Sequence, residues 1–223
     1  MRKFDTPSAP TAVLDVAAGR IRFIAADRTD TTVEVLPTDP SKARDVRAAE
    51  QTAVAYGADV LRITAPTTKN QVLGNSGSIE VTVHLPAGSR IEAKTAAAEF
   101  HAVGRLGDVN LESAQGTVDL AETAGARLVL RAGDVSVGRL GGSAHITTQK
   151  GDIRITEAVT GTLTLTTEHG EISVGAAHGV SASLDAGTGH GRIHNSLDNT
   201  GGADAGLKIH ATTSYGDITA RSL

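Results

Sequence analysis

Apolar residues in the second half of this chain come in alternating pairs. Leu128 and Leu130 are followed by Val135 and Val137. Ala144 and Ile146 are followed by Ile153 and Ile155, and Leu163 and Leu165 by Ile172 and Val174. Alternation with period two predicts strands with one buried face rather than helices. Between the two members of each set stands a short phrase: Thr, two small or polar residues, Gly, a polar or acidic residue, then Ile or Val. It reads Thr148-Gln-Lys-Gly151-Asp152-Ile153, Thr167-Glu-His-Gly170-Glu171-Ile172 and Thr213-Ser-Tyr-Gly216-Asp217-Ile218. Looser copies surround Gly116, Gly133 and Gly191, and Ala98 holds the same place in a first copy.

The corner positions 98, 116, 133, 151, 170, 191 and 216 are separated by 18, 17, 18, 19, 21 and 25 residues. A near-constant period of this length marks a solenoid. One period supplies two short strands and a weaker third side, and buries its apolar face only by stacking on its neighbours. The expected fold is therefore all-β: a parallel β-solenoid of about seven coils of 17–25 residues. A right-handed β-helix is favoured because parallel crossovers are right-handed in nearly every case. Each glycine is expected at a corner entering a strand, and Thr148, Thr167, Thr188 and Thr213 should stack as a ladder.

The first 86 residues read differently. Two strands are expected within 11–36, the second over Thr31–Leu36, and Pro37 to Pro40 breaks it. Helical spacing of Ala43, Val46 and Ala49 predicts one short helix over Ser41–Gln51, capped by Ser41. Thr52–Tyr56 and Val60–Ala65 form a hairpin across Gly57-Ala58-Asp59. A loop covers 66–75, and Gly77–Leu85 alternates again. The predicted organisation is a β-rich cap over 1–86, continuous with solenoid repeats over 87–223. The cap covers one end of the stack. Nothing in the chain remains to cover the other, so the last coil, with Ile218, Arg221 and Leu223, is expected to be an open edge that pairs with a partner or with a second copy. The long final spacing places a Gly, Asn and Asp-rich loop over 194–206.

The strand Gly77-Ser-Ile-Glu-Val-Thr-Val-His-Leu-Pro-Ala-Gly88, the repeats and the closing Thr213-Ser-Tyr-Gly-Asp-Ile218 resemble the bacterial putative-adhesin family of β-strand-repeat domains of unknown function. Asn195-Ser-Leu-Asp198 after Gly191-Arg-Ile is also similar. The resemblance covers nearly the whole chain. It implies a β-helix-like solenoid and brings no catalytic residues.

Composition narrows the function classes. The chain has 223 residues and a net charge of −4, without the basic stripe of a nucleic-acid binder. Aromatics are 2%, with no Trp, which disfavours stacking platforms for sugars or single strands. Absence of Cys removes disulfides, thiolate chemistry and Cys-based metal sites. Met1-Arg-Lys leads into no apolar run, and no stretch has the ~18 apolar residues of a membrane span. The reading is a cytoplasmic protein with no membrane partner.

Stacking would put the residue after each corner Gly in one column, with Asp134, Asp152 and Glu171 on consecutive coils about 5 Å apart. Such a column either is solvated, with Lys150 and Arg154 as counter-charges, or takes a Ca²⁺ ion. His169 and His190 each precede a corner and are expected to be neighbours near Glu168 and Glu171, as a polar face or a candidate Zn²⁺ or acid–base pair. No third ligand is placed, so no metal and no cofactor is assigned. Neither a Gly-x-Ser-x-Gly elbow nor a phosphate loop occurs. The leading reading is a non-enzymatic scaffold or adhesin-like module that binds a protein partner. Self-association through coil ends is the first alternative. A polysaccharide-acting enzyme using Asp152, Glu171, Lys150 and Arg154 is the second.

Overall fold

A computed structural model describes residues 1–66 and 77–223. They fall into two compact units, Met1–Gly116 and Thr117–Leu223.

In the first unit the strands are β1 (Arg2–Asp5), β2 (Thr11–Ala26) and β3 (Asp30–Pro37). Helix α1 (Ala43–Gln51) follows, then β4 (Ala53–Gly57), β5 (Val60–Thr64), β6 (Ile79–Pro86) and β7 (Arg90–Gln115). The 16-residue strand β2 is a whole coil rather than one side. Its Thr11–Asp15 half lies parallel to β5 on one side and to Arg90–Lys94 of β7 on the other; its Gly19–Ile24 half lies between β6 and Ala98–Val103 of β7. The inward residues are Ala12, Leu14, Val16, Ile21 and Phe23, all at most 2% exposed. Inward positions are even up to Val16 and odd from Ile21 onward, the switch falling at the Ala17–Arg20 corner.

Both halves of the outer coil are then covered. β4 runs antiparallel to β5, and β3 antiparallel to β6 with β1 beyond it. The β4–β5 turn is made by Ala58 and Asp59 at φ 50° and 58°. This two-residue turn matches the twist of a hairpin. Helix α1 packs on β3 and β6. Its buried Asp45 accepts the Ser78 N–H at 3.0 Å. Ser41 does not cap the helix: its hydroxyl donates instead to Asp39 Oδ1 at 2.6 Å, and Lys42 stands at the cap without a side-chain bond. Apart from Pro66, the loop expected over 66–75 lies outside the described residues. Because β2 and β7 share one register, the structure groups the first repeat copies with the N-terminal residues.

In the second unit the strands are β8 (Val118–Ala132), β9 (Val135–Leu140), β10 (Ala144–Lys150), β11 (Ile153–Ala158), β12 (Gly161–His169) and β13 (Ile172–Ala176). β14 (Ala182–His190), β15 (Ile193–Ser196), β16 (Leu207–Tyr215) and β17 (Ile218–Ser222) complete it, with a single 3₁₀ turn at Gly202–Asp204. The pairs β10–β8, β10–β12, β11–β9 and β11–β13 are all parallel. Ile146 sits between Leu128 and Leu165, and Ile153 between Val135 and Ile172, all buried. Residues about eighteen apart therefore do lie on one another here.

The order then departs from the chain. β12 is followed in space not by β14 but by β16, and β13 not by β15 but by β17. β14 and β15 lie beyond, parallel to β16 and β17. The final coil is thus inserted between its two predecessors. The residues at equivalent inward positions explain why. β16 and β17 offer Leu207, Ile209, Ala211, Ile218 and Ala220, each at most 1% exposed. At the matching places β14 and β15 offer Ala182, Leu184, Ala186, Ile193 and Asn195. Sequential stacking would bury the Asn195 amide in a column otherwise made of Ile155, Val174 and Ala220, at a cost of about 1–3 kcal/mol without a partner. The more apolar coil goes inside, and the one carrying Asn195 goes outside.

Candidate functional site

The repeated phrase is a coil-to-coil fastening, and each of its three fixed residues has a task. Thr167 Oγ1 donates to the Gly151 carbonyl at 3.0 Å, Thr213 to Gly170 at 3.0 Å and Thr188 to Gly216 at 3.0 Å. The threonines stack in the order Thr148, Thr167, Thr213, Thr188, but their hydroxyls bond the neighbouring corner rather than one another. At Gly151, φ 141°, no side chain fits, because the carbonyl of the corner beneath occupies its space: a Cβ would lie 2.2 Å from the Gly133 oxygen.

The acidic residue completes the fastening. Asp134 Oδ1 accepts the Asp152 N–H at 2.9 Å, and Asp152 Oδ1 accepts the Glu171 N–H at 2.8 Å. Asp217 Oδ1 accepts the Arg192 N–H at 2.8 Å, and its other oxygen receives the Arg192 guanidinium at 3.2 Å. The Arg192 backbone N–H, followed by the guanidinium, holds the Asp217 carboxyl below the usual carboxylate range. Asp134, Asp152 and Glu171 do follow one another, but two of the three carboxylates are committed to backbone donors. These donors relieve the crowding of like charges that had suggested a cation. Among the described residues, no three His, Asp or Glu side chains gather as a metal site.

His169 and His190 are not neighbours. Insertion of β16 puts Tyr215 between them, in register with both. Its ring stacks on His169 at 5.0 Å and 10° and on His190 at 4.7 Å and 7°. The two imidazoles lie on opposite faces of a half-exposed phenol and cannot share a ligand. Lys150 continues the row beside His169.

The last coil is likewise not the bare edge. Ile218 is 1% exposed, with Ile172 on one side and Ile193 on the other. Arg221 lies in register between Gly175 and Ser196. Leu223 donates its N–H to the Ala176 carbonyl at 3.0 Å, closing against β13.

The open coil is β14–β15. Among the described residues no strand pairs along the outer edge of either. The loop after β15 reaches the start of β14, where Asp198 O accepts the Ala182 N–H and Ser181 Oγ accepts the Gly201 N–H, and Asp198 donates its own N–H to Ser222 Oγ of β17 at 2.8 Å. Every residue of β15 is exposed, and Ile193, apolar and inward-facing, is 44% exposed. Charges on this coil are turned back to the coil beneath: Arg192 to Asp217, and Asp185 to His210 at 3.2 Å. Sequence reasoning missed Tyr215, Leu184, Ala186 and Ile193. The available signal was Asn195 at an inward position, which marks its coil as the one that belongs at an end.

Stacked parallel coils, each strand lying on its equivalent one turn away, define a β-solenoid-like protein. The Toastrack DUF4097 family model matches residues 12–222, and the chain belongs to that family. Among solved structures, a protein from Bacteroides fragilis described as a "putative adhesin" aligns over 98% of this chain and 95% of its own at 16% identity, with a TM-score of 0.59. This likeness concerns the fold alone. A "putative adhesin" from Parabacteroides distasonis aligns over 100% and 95% at 12% identity, with a TM-score of 0.45. A "putative cell adhesion protein" from Clostridium sporogenes aligns over 100% and 98% at 11%, with a TM-score of 0.44. No curated protein matches the chain. Among the described residues no helix is long and apolar enough to cross a membrane.

Proposed function

We propose that this chain is a non-enzymatic, adhesin-like interaction module, and that its open coil accepts an extended segment of a protein partner. Right-handed winding in about seven coils belongs to this reading, on the general preference of parallel crossovers. The observation that carries it is an asymmetry. In the first unit the outer coil is covered on both of its strands by antiparallel partners and a helix. In the second unit the outer coil is bare on both strands, with Ile193 partly in water. Unpaired strand edges recruit strands, and natural proteins blunt them when recruitment is unwanted. Here neither Lys nor Pro stands on β14 or β15. Strand addition gives affinity through main-chain bonds and specificity through alternate side chains.

Selection of extended peptides from a displayed random library tests this, with affinity read by fluorescence anisotropy. Binders are expected to lose at least ~10-fold in affinity to an Ile193→Lys variant, whose charge guards the edge. No extended binder, or binders indifferent to Ile193→Lys, overturns the reading.

A further inference from the structure

We infer that the occupant of the open coil is a second copy of this chain, with β14 pairing antiparallel to β14 of its twin across a two-fold axis at Ala186. The inference rests on the strand-accepting reading above and supplies its partner.

The argument is one of self-complementarity. β14 runs Ala182–His190, and Ala186 is its midpoint. An antiparallel pairing centred there uses the strand inward of Ala182, whose N–H is held by Asp198, and sets Asp185 opposite Gly187, Ser183 opposite Gly189, and Leu184 opposite Thr188. No like charges meet, whereas a pairing centred one residue earlier would set Asp185 against itself. Like charges directly opposite destabilise a strand pair. Gly187 also gives room. A Cβ at Gly187 would meet nothing within 4 Å, so that stretch of edge presents no obstacle to an approaching backbone. The strand's one acidic side chain, Asp185, is already turned to His210. That leaves the edge without a strong field to select an oppositely charged foreign strand.

Asn195 agrees with this occupant. It stands at the inward position of the end coil, where its Oδ1 accepts the Leu197 N–H at 3.1 Å. A purely apolar foreign surface would bury its remaining amide hydrogens without acceptors. A twin brings the same polar group to the same end. A patch that meets itself closes at two copies and does not grow into a filament. The strands contributing are 9 and 4 residues long, short of the ~20–30 residues a side of a standard interface, so association in the micromolar range is expected.

The test exploits the absence of native cysteine. Directly opposed residues of an antiparallel pair have Cα atoms about 4.5–5.5 Å apart, within disulfide reach. Under mild oxidation Ala186→Cys is expected to form a covalent dimer, and Ser183→Cys, which would lie six residues from its twin, is not. Sedimentation velocity of the unmodified chain from about 1 to 500 μM should show monomer passing to dimer and no larger species, with dimer lost in Ile193→Lys. A monomer throughout, with no Ala186→Cys dimer, overturns the second copy as occupant. The same outcome with peptide binders lost in Ile193→Lys leaves the strand-accepting reading standing, and without them that reading falls too. Equal cross-linking of both cysteine variants overturns the stated register.

Discussion

Removing three carbons from Ile218 and from Ile193 in turn separates the observed coil order from a sequential one. The two residues hold the same place in the repeat and lie side by side. Ile218 is 1% exposed, with strands on both sides. Ile218→Ala therefore loses the full transfer energy and leaves a closed cavity, which together come to about 2–5 kcal/mol. Ile193 is 44% exposed, and water fills the space its side chain vacates. Ile193→Ala loses about half the transfer energy of the three carbons and no cavity term, or about 1 kcal/mol. Urea denaturation followed by circular dichroism reads the difference. With m near ~1.5 kcal/mol/M, a 3 kcal/mol loss moves the midpoint by about 2 M, and 1 kcal/mol by about 0.7 M. The two units need not unfold together, so both variants are compared on the same transition. Were the coils stacked in chain order, Ile193 would be the enclosed residue and the ranking would reverse. A larger loss for Ile193→Ala, or equal losses, refutes the inserted coil.

Four other outcomes follow from the same geometry. Cysteines at Thr164 and His210, register partners across β12 and β16, should cross-link, whereas cysteines at Thr164 and Asp185 should not, as read by non-reducing electrophoresis. Gly151→Ala, forced to a left-handed φ against the Gly133 carbonyl, should cost more than about 2 kcal/mol in the same denaturation assay. Thr167→Val keeps the shape but removes the hydroxyl that bonds Gly151, at about 1–2 kcal/mol, while Thr166→Val on the outer face stays within about 0.5 kcal/mol. In acid, Asp217 and Asp30 should both resist protonation. Asp217 is held low by the Arg192 N–H, and Asp30 is held at about 2, chiefly by the Arg28 guanidinium. Because their folded pKa values are depressed, the stability they lend is complete above the unfolded value of about 3.9 and is lost as pH falls through the folded values. Urea titrations from pH 7 to pH 2 should show Asp217→Asn with a shallower acid slope than the unmodified chain.

The period and the phrase were enough to find the coils of the second unit, because each residue of the phrase acts across one turn and so must recur at every turn. Gly151, Thr167 and Asp152 carry that signal in their spacing. The hairpin over 52–65 was equally plain, since strand alternation and a short turn are local. Coil order was not. Two adjacent coils of similar pattern can exchange places without changing any local preference, and only the apolar content of Ile218 and Ala220 against Ile193 and Asn195 decides which is enclosed. Tyr215 between His169 and His190 was hidden for the same reason. The first coil, β2, escaped because apolar Val13 and Ala17 stand on its outward face between inward Ala12, Leu14 and Val16, which blurs the alternation. The acidic column was correctly aligned from spacing, yet spacing says nothing of the amide hydrogens that those carboxylates receive.

Repeat proteins usually fray from their chain ends, because the outermost turn is held on one side only. Insertion of β16 and β17 reverses that within the second unit: strands that come later in the sequence are gripped from both sides, and the loosest turn is an earlier one. That turn cannot settle until β16 and β17, which follow it in the sequence, have been made.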